Sequence, residues 1–450
     1  MSSEVVERYH SLLTNDTAAH AVEQMNAGLK KRKCFFGERP LCTVLRPNFY
    51  TPEQWAYLKS ETEILLGAFR KAHSACITDM SFRSQLDLES YEEELFSLAI
   101  GFEVPWTTSR LDSFFILEDL SLKFVEYNAE TPAGIAYDDA VADTFMELDI
   151  FKQFNEYYHT RTFPVRQGLY TSLAEAYRQW GGTNKPNIAI VDWADVPTLN
   201  EHELCKQHFE AEGSAVVLAD PRSLEYRSGK LYSEHGFPID LIYKRVLSSE
   251  LIERMGIDNP IVHALRDQAV CMSNAFSAKL MAKKASFALL SDERNHSLFS
   301  AEELRAIEAH IPWTRRVSER NTHFHGRAVD LVPFIAENKD RLVLKPNDEY
   351  GGKGVVIGWE TSPENWGETI LSALRNPYVV QERVRIAYDD YPAFIDGQID
   401  ISPRLVDADP FVFFGRTTSG CMTRLSSSSL LNVTAGGGSI VPSFIIYKRT

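Results

Sequence analysis

Residues 341–358 read RLVLKPNDEYGGKGVVIG. The pattern predicts a strand that ends in Lys345, a glycine loop, and a second strand beginning at Val355. Gly351, Gly352 and Gly354 fall in the loop, with Lys353 between them. Two cations beside a backbone free to fold over a ligand suit a polyphosphate. The stretch is not a P-loop, because no G-x-x-x-x-G-K-[ST] occurs and a strand, not a helix, follows the glycines. A lysine-rich hairpin turn would give the same local pattern, so the rest of the chain has to decide between them.

The chain has 450 residues, which favours two or three domains over one core. With 44% hydrophobic and 24% charged residues it has the composition of a soluble protein. A net charge of −15 argues against nucleic acid or an anionic membrane as a bulk partner. Six dispersed cysteines without a C-x-x-C pair fit a reducing cytoplasm and give no metal knuckle. The start, MSSEVVERYHSLLTND, is charged throughout, so no signal peptide is expected, and no run of about 18 apolar residues predicts a membrane span.

Residues 1–100 are expected to be mostly helical. Thr51-Pro52-Glu53-Gln54 is a capping box, and Trp55, Leu58, Leu65 and Phe69 follow at helical spacing. Residues 109–128 read as a β-hairpin turning at Glu118–Ser121. Side chains two apart share a face, so Arg110 joins Asp112 and Glu126 joins Asn128, with Phe114 and Phe124 expected on the same faces. Carboxylates among aromatic side chains are costly unless paired or metal-bound. Asp112, Glu126 and Asn128 offer the oxygen ligands that Mg²⁺ takes alongside substrate phosphates, while a salt bridge from Arg110 is the plainer alternative. Pro132 and Gly134 turn the chain afterwards, towards a helix expected from about Asp138. A second helix is expected over Val165–Trp180, capped at Gly181.

Residues 186–250 alternate strands (187–192, 214–220, 239–246) with a helix across 201–212, which indicates a parallel, Rossmann-like lobe. No G-x-G-x-x-G follows its first strand, so a nicotinamide or flavin dinucleotide is not expected. Lys244 and Arg245 read as a solvated strand end, and Lys279, Lys283 and Lys284 as a solvated helix face. The strand 377–384 turns polar at Gln381-Glu382-Arg383, where its backbone can meet an adenine edge. Arg424 and Asn432 lie in short strands and small-residue loops near the end.

Taken together, RLD (110–112), FVEYNAETPAG (124–134), IDLIYKRV (239–246), AKKASFALLSDE (282–293), RLVLKPNDEYGGKGV (341–355), VVQERV (379–384) and TRLSSSSLLNVTAGGG (423–438) resemble the circularly permuted ATP-grasp proteins. Their pattern is similar to the synthetase domain of glutathionylspermidine synthetase. The likeness runs from about residue 105 to 445. The order carries it: the R-x-D and E-Y-N acids precede the lysine strand and glycine loop, as expected of the permuted form.

The resemblance implies an α/β (α+β) fold in four parts: a helical N-terminal region (1–100), a metal-binding half (101–185), a Rossmann-like lobe (186–250) and a nucleotide-binding region (251–450). It implies ATP and Mg²⁺ as cofactors, with Asp112, Glu126 and Asn128 as metal ligands. Lys284, with Lys283 as the alternative, and Lys345 would hold the phosphates. Gly351, Gly352, Lys353 and Gly354 would form a lid, and Gln381, Glu382 and Val384 the adenine hinge. Arg424 would sit near the γ-phosphate and Arg110 against a tetrahedral adduct. The implied reaction joins a carboxylate to an amine through an acyl phosphate, releasing ADP. A phosphotransferase acting on a hydroxyl, or a nucleotide-binding protein without turnover, would keep many of the same residues. The amidase domain has no counterpart here, so nucleotide chemistry transfers and the acid and amine do not. The place of Asn432 stays open.

Overall fold

The computed structural model describes residues 2–36, 39–427 and 438–449. Helix α1 (Pro52–Thr78) starts on the expected capping box: the Thr51 hydroxyl accepts the Gln54 N–H at 3.2 Å, and the Gln54 side chain accepts the Thr51 N–H at 2.8 Å. Its apolar stripe, Trp55, Leu58, Leu65 and Phe69, is buried, and the Phe69 ring packs 4.5 Å from that of Tyr127.

Tyr127 belongs to the hairpin of β1 (Thr108–Ile116) and β2 (Ser121–Asn128). Its antiparallel register pairs Arg110 with Asn128 and Asp112 with Glu126. The register then shifts between Asp112 and Ser113, so that Phe124 pairs with Ser113. This bulge takes Phe124 off the acidic face on which it was expected, because the extra residue in β2 moves the side chains beyond it to the other face, while Phe114 lines the cavity with Asp112 as expected. Phe124 is fully buried, edge-on to His310. The next helix, α2 (Ile135–Glu147), begins a turn earlier than expected, straight after Gly134 at φ +99°. Helix α3 (Val165–Trp180) has the expected bounds and ends on Gly181 in the left-handed region.

A four-stranded parallel sheet follows, built from β3 (Asn187–Val191), β4 (Ala215–Ala219), β5 (Leu241–Lys244) and β6 (Cys271–Ser273) in the order β6-β5-β3-β4. Helix α4 (Leu199–Ala211) crosses from β3 to β4. Short helices α5 (Lys279–Ala282) and α6 (Ala285–Ser291) then lead to an antiparallel sheet. It comprises β7 (Thr314–Arg316), β8 (Leu342–Pro346), β9 (Val356–Ile357) and β10 (Tyr378–Glu382), in the order β7-β10-β8-β9. The strand after the glycine loop therefore starts one residue later than expected.

The chain returns to the first hairpin through β11 (Ala387–Ile395), β12 (Gln398–Val406), β13 (Asp409–Phe413), β14 (Thr417–Ser426) and β15 (Ser439–Lys448). The order β11-β12-β14-β13-β1-β2 makes one sheet, with β15 alongside β14. The pairing Arg110 with Phe411 brings together segments 300 residues apart in the chain. One apolar core runs from Val5 to Ile446, so the N-terminal helices pack into the body of the central sheet. Separate cores lie under the parallel sheet and under β7–β10.

Candidate functional site

A cavity of about 920 Å³ opens where the three sheets meet. It is lined by Arg110, Asp112, Glu126, Asn128, Lys284, Lys345, Gly351, Gly352, Lys353, Gln381, Glu382, Val384 and Arg424, so among the described residues named as candidates from the sequence only Gly354 and the alternative lysine Lys283 are not in the lining. Asn432 lies outside the described residues.

The acidic wall is β1 and β2. Asp112 is buried and accepts two bonds from Arg110, Nε at 2.8 Å and Nη2 at 3.0 Å. It also accepts from Asn128 Nδ2 at 2.9 Å and from Arg424 Nη2 at 2.7 Å. Burial alone would raise this carboxyl; the two guanidiniums overcome it and hold it at about 2. Arg424 in turn meets Asp407 at 2.7 Å and Asp409 at 2.9 Å. The Arg110–Asp112 salt bridge, the plainer of the two arrangements this hairpin's spacing allows, is present. Glu126 stands apart from the arginines and meets the Lys284 ammonium at 3.0 Å. Among the described residues no three His, Cys, Asp or Glu side chains are placed to hold a metal by themselves. Asp112, Glu126 and Asn128 all line the cavity, with Asn128 Nδ2 bonded to Asp112, so Mg²⁺ held here would complete its shell with phosphate oxygens and water.

The cationic wall faces it. Lys345, at the end of β8, donates to Gln381 Oε1 at 2.7 Å and to the carbonyl of Val125, beside Glu126, at 3.3 Å. Burial and the neighbouring Lys284 push its ammonium down to about 8, against the pull of Glu126 and Asp112. Gln381 Nε2 donates to Thr314 at 3.0 Å, which fixes its carbonyl towards the lysine. The Glu382 carboxylate turns away to His325 at 3.0 Å and Arg341 at 3.7 Å, so the backbone of this segment is what it offers to the cavity. Arg383 stacks 4.0 Å over the Trp359 ring, and both line the same end. The sequence reading missed this pair, because an isolated tryptophan 24 residues upstream carries no spacing signal.

The lysine segment is not a solvated face. Lys279, Lys283 and Lys284 are all buried, and so are Lys244 and Arg245. Apolar neighbours exclude water there, and carboxylates from distant segments neutralise the charges. Lys283 meets Glu92 at 2.8 Å and Asp348 at 3.4 Å and does not line the cavity; Lys284 does. Glu130 lies between Lys244 at 3.1 Å and Lys279 at 3.0 Å and accepts the Ser248 N–H at 2.7 Å. Lys279 also reaches Asp348, at the root of the glycine loop, at 2.6 Å. Asn274 Nδ2 donates to the carbonyls of Thr108, Ala129 and Glu130 at 2.7, 2.9 and 3.1 Å. These contacts fix the segment after Asn128 against the parallel sheet. A D-x-D spacing at Asp407–Asp409 was visible in the sequence, but nothing local shows that it faces Arg424.

The loop glycines have φ values of +65° (Gly351), +78° (Gly352) and +71° (Gly354). Lys353 is exposed and pairs with Glu349 at 3.1 Å. A Cβ on Gly354 would fall 2.7 Å from Pro346 Cγ. Gly354→Ala is expected to cost roughly 1–2 kcal/mol from the left-handed backbone alone, read as a lower urea midpoint. Gly367→Ala, in a helix with nothing within 4 Å of the new Cβ, should leave the midpoint unchanged or higher. No helix among the described residues is long and apolar enough to cross a membrane.

No family model matches the chain. It is 25% identical over 332 residues to a putative glutamate–cysteine ligase 2-2 of Frankia casuarinae, a match covering 70% of this chain and 36% of that protein. An uncharacterized protein of Synechocystis sp. is 23% identical over 263 residues, covering 54% of this chain and 50% of that one. The chain therefore spans about a third of the Frankia protein and half of the Synechocystis protein. Among solved structures, a glutathione synthetase-like effector of Globodera pallida, in its apo form, superposes with a TM-score of 0.59 at 11% identity, covering 95% of this chain and 96% of that one. What the two chains share is the fold, mixed α and β, along nearly their whole length.

Proposed function

We propose that this chain is an ATP- and Mg²⁺-dependent carboxylate–amine ligase of ATP-grasp type. In this reading its acidic strands precede its nucleotide strands in the permuted order, and the amide forms through an acyl phosphate. One observation carries the reading: Lys345 reaches the backbone beside Glu126, so lysine strand, glycine loop and acid hairpin share a single cavity. The printed names of the relatives, a putative glutamate–cysteine ligase and a glutathione synthetase-like effector, point to the same class of reaction.

A carboxylate is a poor acyl donor until its oxygen is phosphorylated. Lys284 and Lys345 would neutralise the phosphates, and Asp112, Glu126 and Asn128, which line the same cavity, would hold the Mg²⁺ that draws charge off the phosphate oxygens. Charge exchange is built in, because Lys284 now sits on Glu126 and can turn to phosphate when the cation takes its place. Arg110, anchored on Asp112 and the Ala133 carbonyl at 2.7 Å, faces the oxyanion formed when the amine attacks. Arg424, which lines the cavity and bonds Asp112 at 2.7 Å, would stand near the γ-phosphate. The glycine loop would keep water from the acyl phosphate.

The reading is tested by phosphate release from Mg·ATP with pooled carboxylates and amines, followed by mass spectrometry of the products. Release that needs both substrates supports ligation; a phosphorylated product without an amine supports a phosphotransferase. Glu126→Gln is expected to cut Mg·ATP turnover by about a hundredfold or more. Calorimetry in EDTA should show metal-free nucleotide binding unchanged or tighter, since Lys284 loses its partner. Full turnover in this variant would sink the metal assignment.

A further inference from the structure

The parallel-sheet lobe supplies part of the cavity wall. Its charged contributions to the lining are Glu201, Glu250 and Glu253, all acidic. Glu201, on α4, is 3% exposed. Its Oε1 accepts the N–H groups of Gly134 at 2.8 Å and Ala136 at 3.3 Å. Its Oε2 has no hydrogen-bond partner among the described residues. The Tyr137 hydroxyl, buried beside it in the same lining, is also without one. A buried carboxylate oxygen left unpaired costs free energy that a bound donor would recover. This wall is tied to the reacting centre: Arg110 holds the Ala133 carbonyl and Glu201 holds the next residue's N–H.

We propose that Glu201 Oε2 and the Tyr137 oxygen form the subsite for the ammonium group of the amine substrate. This deepens the ligase reading and rests on it for the word substrate; the ammonium site itself stands on the geometry. Both open atoms can accept N–H donors, and the acidic wall repels a carboxylate. Nucleotide phosphates are drawn instead to Lys284 and Lys345, so charge separates the two ligands' preferred contacts within one cavity. Burial raises the Glu201 carboxyl against the pull of Arg245, the two backbone bonds and Arg110.

Ligand-observed NMR titrations of the full chain at pH 7 test the proposal. The probes are n-propylammonium and glycinamide, with propionate, N-acetylglycine and glycine as comparisons. Both amines are expected to bind saturably. Glu201→Gln, which keeps the amide oxygen for Gly134 and Ala136, should weaken them about tenfold, and Tyr137→Phe severalfold. ATP affinity, measured on the same samples, should stay within twofold. Unchanged amine binding in both variants overturns the subsite, as does propionate or N-acetylglycine competing for it. Glycine binding much tighter than glycinamide would give the ammonium to the acid substrate and overturn the assignment to the amine. If Glu201→Gln does not fold, Tyr137→Phe carries the test. Failure of the wild-type chain to bind ATP would sink the ligase reading separately, leaving the amine titrations to be judged by themselves.

Discussion

Replacing Lys345 by Met is expected to lower ATP-dependent turnover by about 10²–10³-fold and to leave the fold as stable as before, or more so. The two halves have one cause. Lys345 stands among cavity walls that push its ammonium down to about 8. The folded chain thus binds this proton less tightly than the unfolded chain, whose lysine titrates near its ordinary value of about 10.4. Below pH 8 the strained cation is a full cost to folding; between 8 and the unfolded value that cost fades, so stability from this group rises with pH. Lys345→Met removes the cost, and its urea midpoint should exceed that of the wild type at pH 7 by a margin that closes towards pH 10. Function runs the other way. A polyphosphate needs the charged lysine, so wild-type nucleotide affinity should be flat up to about pH 8 and then fall about tenfold per unit. Lys345→Arg, which stays charged, should remove that fall while losing turnover through its different shape. A wild-type binding curve flat through pH 9.5 would mean that Lys345 does not meet the phosphates.

What the sequence reveals about this site depends on how local its causes are. Capping at Thr51–Gln54, the end of α3 at Gly181 and the period-two faces of β1 are written within a few residues, and they stand where expected. Lys244, Lys279 and Lys283 are different. Their burial depends on Glu130, Glu92 and Asp348, which lie from 65 to nearly 200 residues away, and a basic run by itself reads as solvated. The bulge that turns Phe124 inward is one added residue in β2, invisible to a rule of strict alternation. Candidate residues for the nucleotide were legible because a lysine strand, a glycine loop and an E-x-N strand each have their own pattern. The wall of Glu201 and Tyr137 was not, because its meaning lies in two oxygen atoms left open when α2 packs against α4.

Arg424→Met is expected to be the most destabilising single change in the cavity, by roughly 3–5 kcal/mol at pH 7. Arg424 is the shared cation of Asp112, Asp407 and Asp409, at 2.7, 2.7 and 2.9 Å. With it gone, Arg110 remains against three buried carboxylates, bonded to Asp112 and 3.8 Å from Asp409. Asp407 and Asp409 are already raised by burial, with the arginines pulling against it. Both are groups whose ionised form is a cost in the folded chain, and acid relieves that cost by protonating them. Asp112 has the opposite sign: held near 2, it adds stability above its unfolded pKa that is lost only as the pH falls through 2. The deficit of Arg424→Met should therefore shrink as the pH is lowered from neutrality, while the wild type keeps the Asp112 contribution until the pH nears 2. Asp409→Asn supplies the contrast. Asp409 is fully buried and neither oxygen has a hydrogen-bond partner among the described residues, so neutralising it should be neutral or stabilising. It should also recover part of the loss when combined with Arg424→Met, a coupling that urea midpoints of the four chains would measure. A deficit independent of pH, with no coupling to Asp409, would mean that Arg424 acts by packing alone. Three buried carboxylates on two arginines are an expensive way to build a core. They are explained if Asp112 must stay ionised to aim Arg110 and Asn128 into the cavity, so that the charge is kept for its geometry and not for the stability it adds.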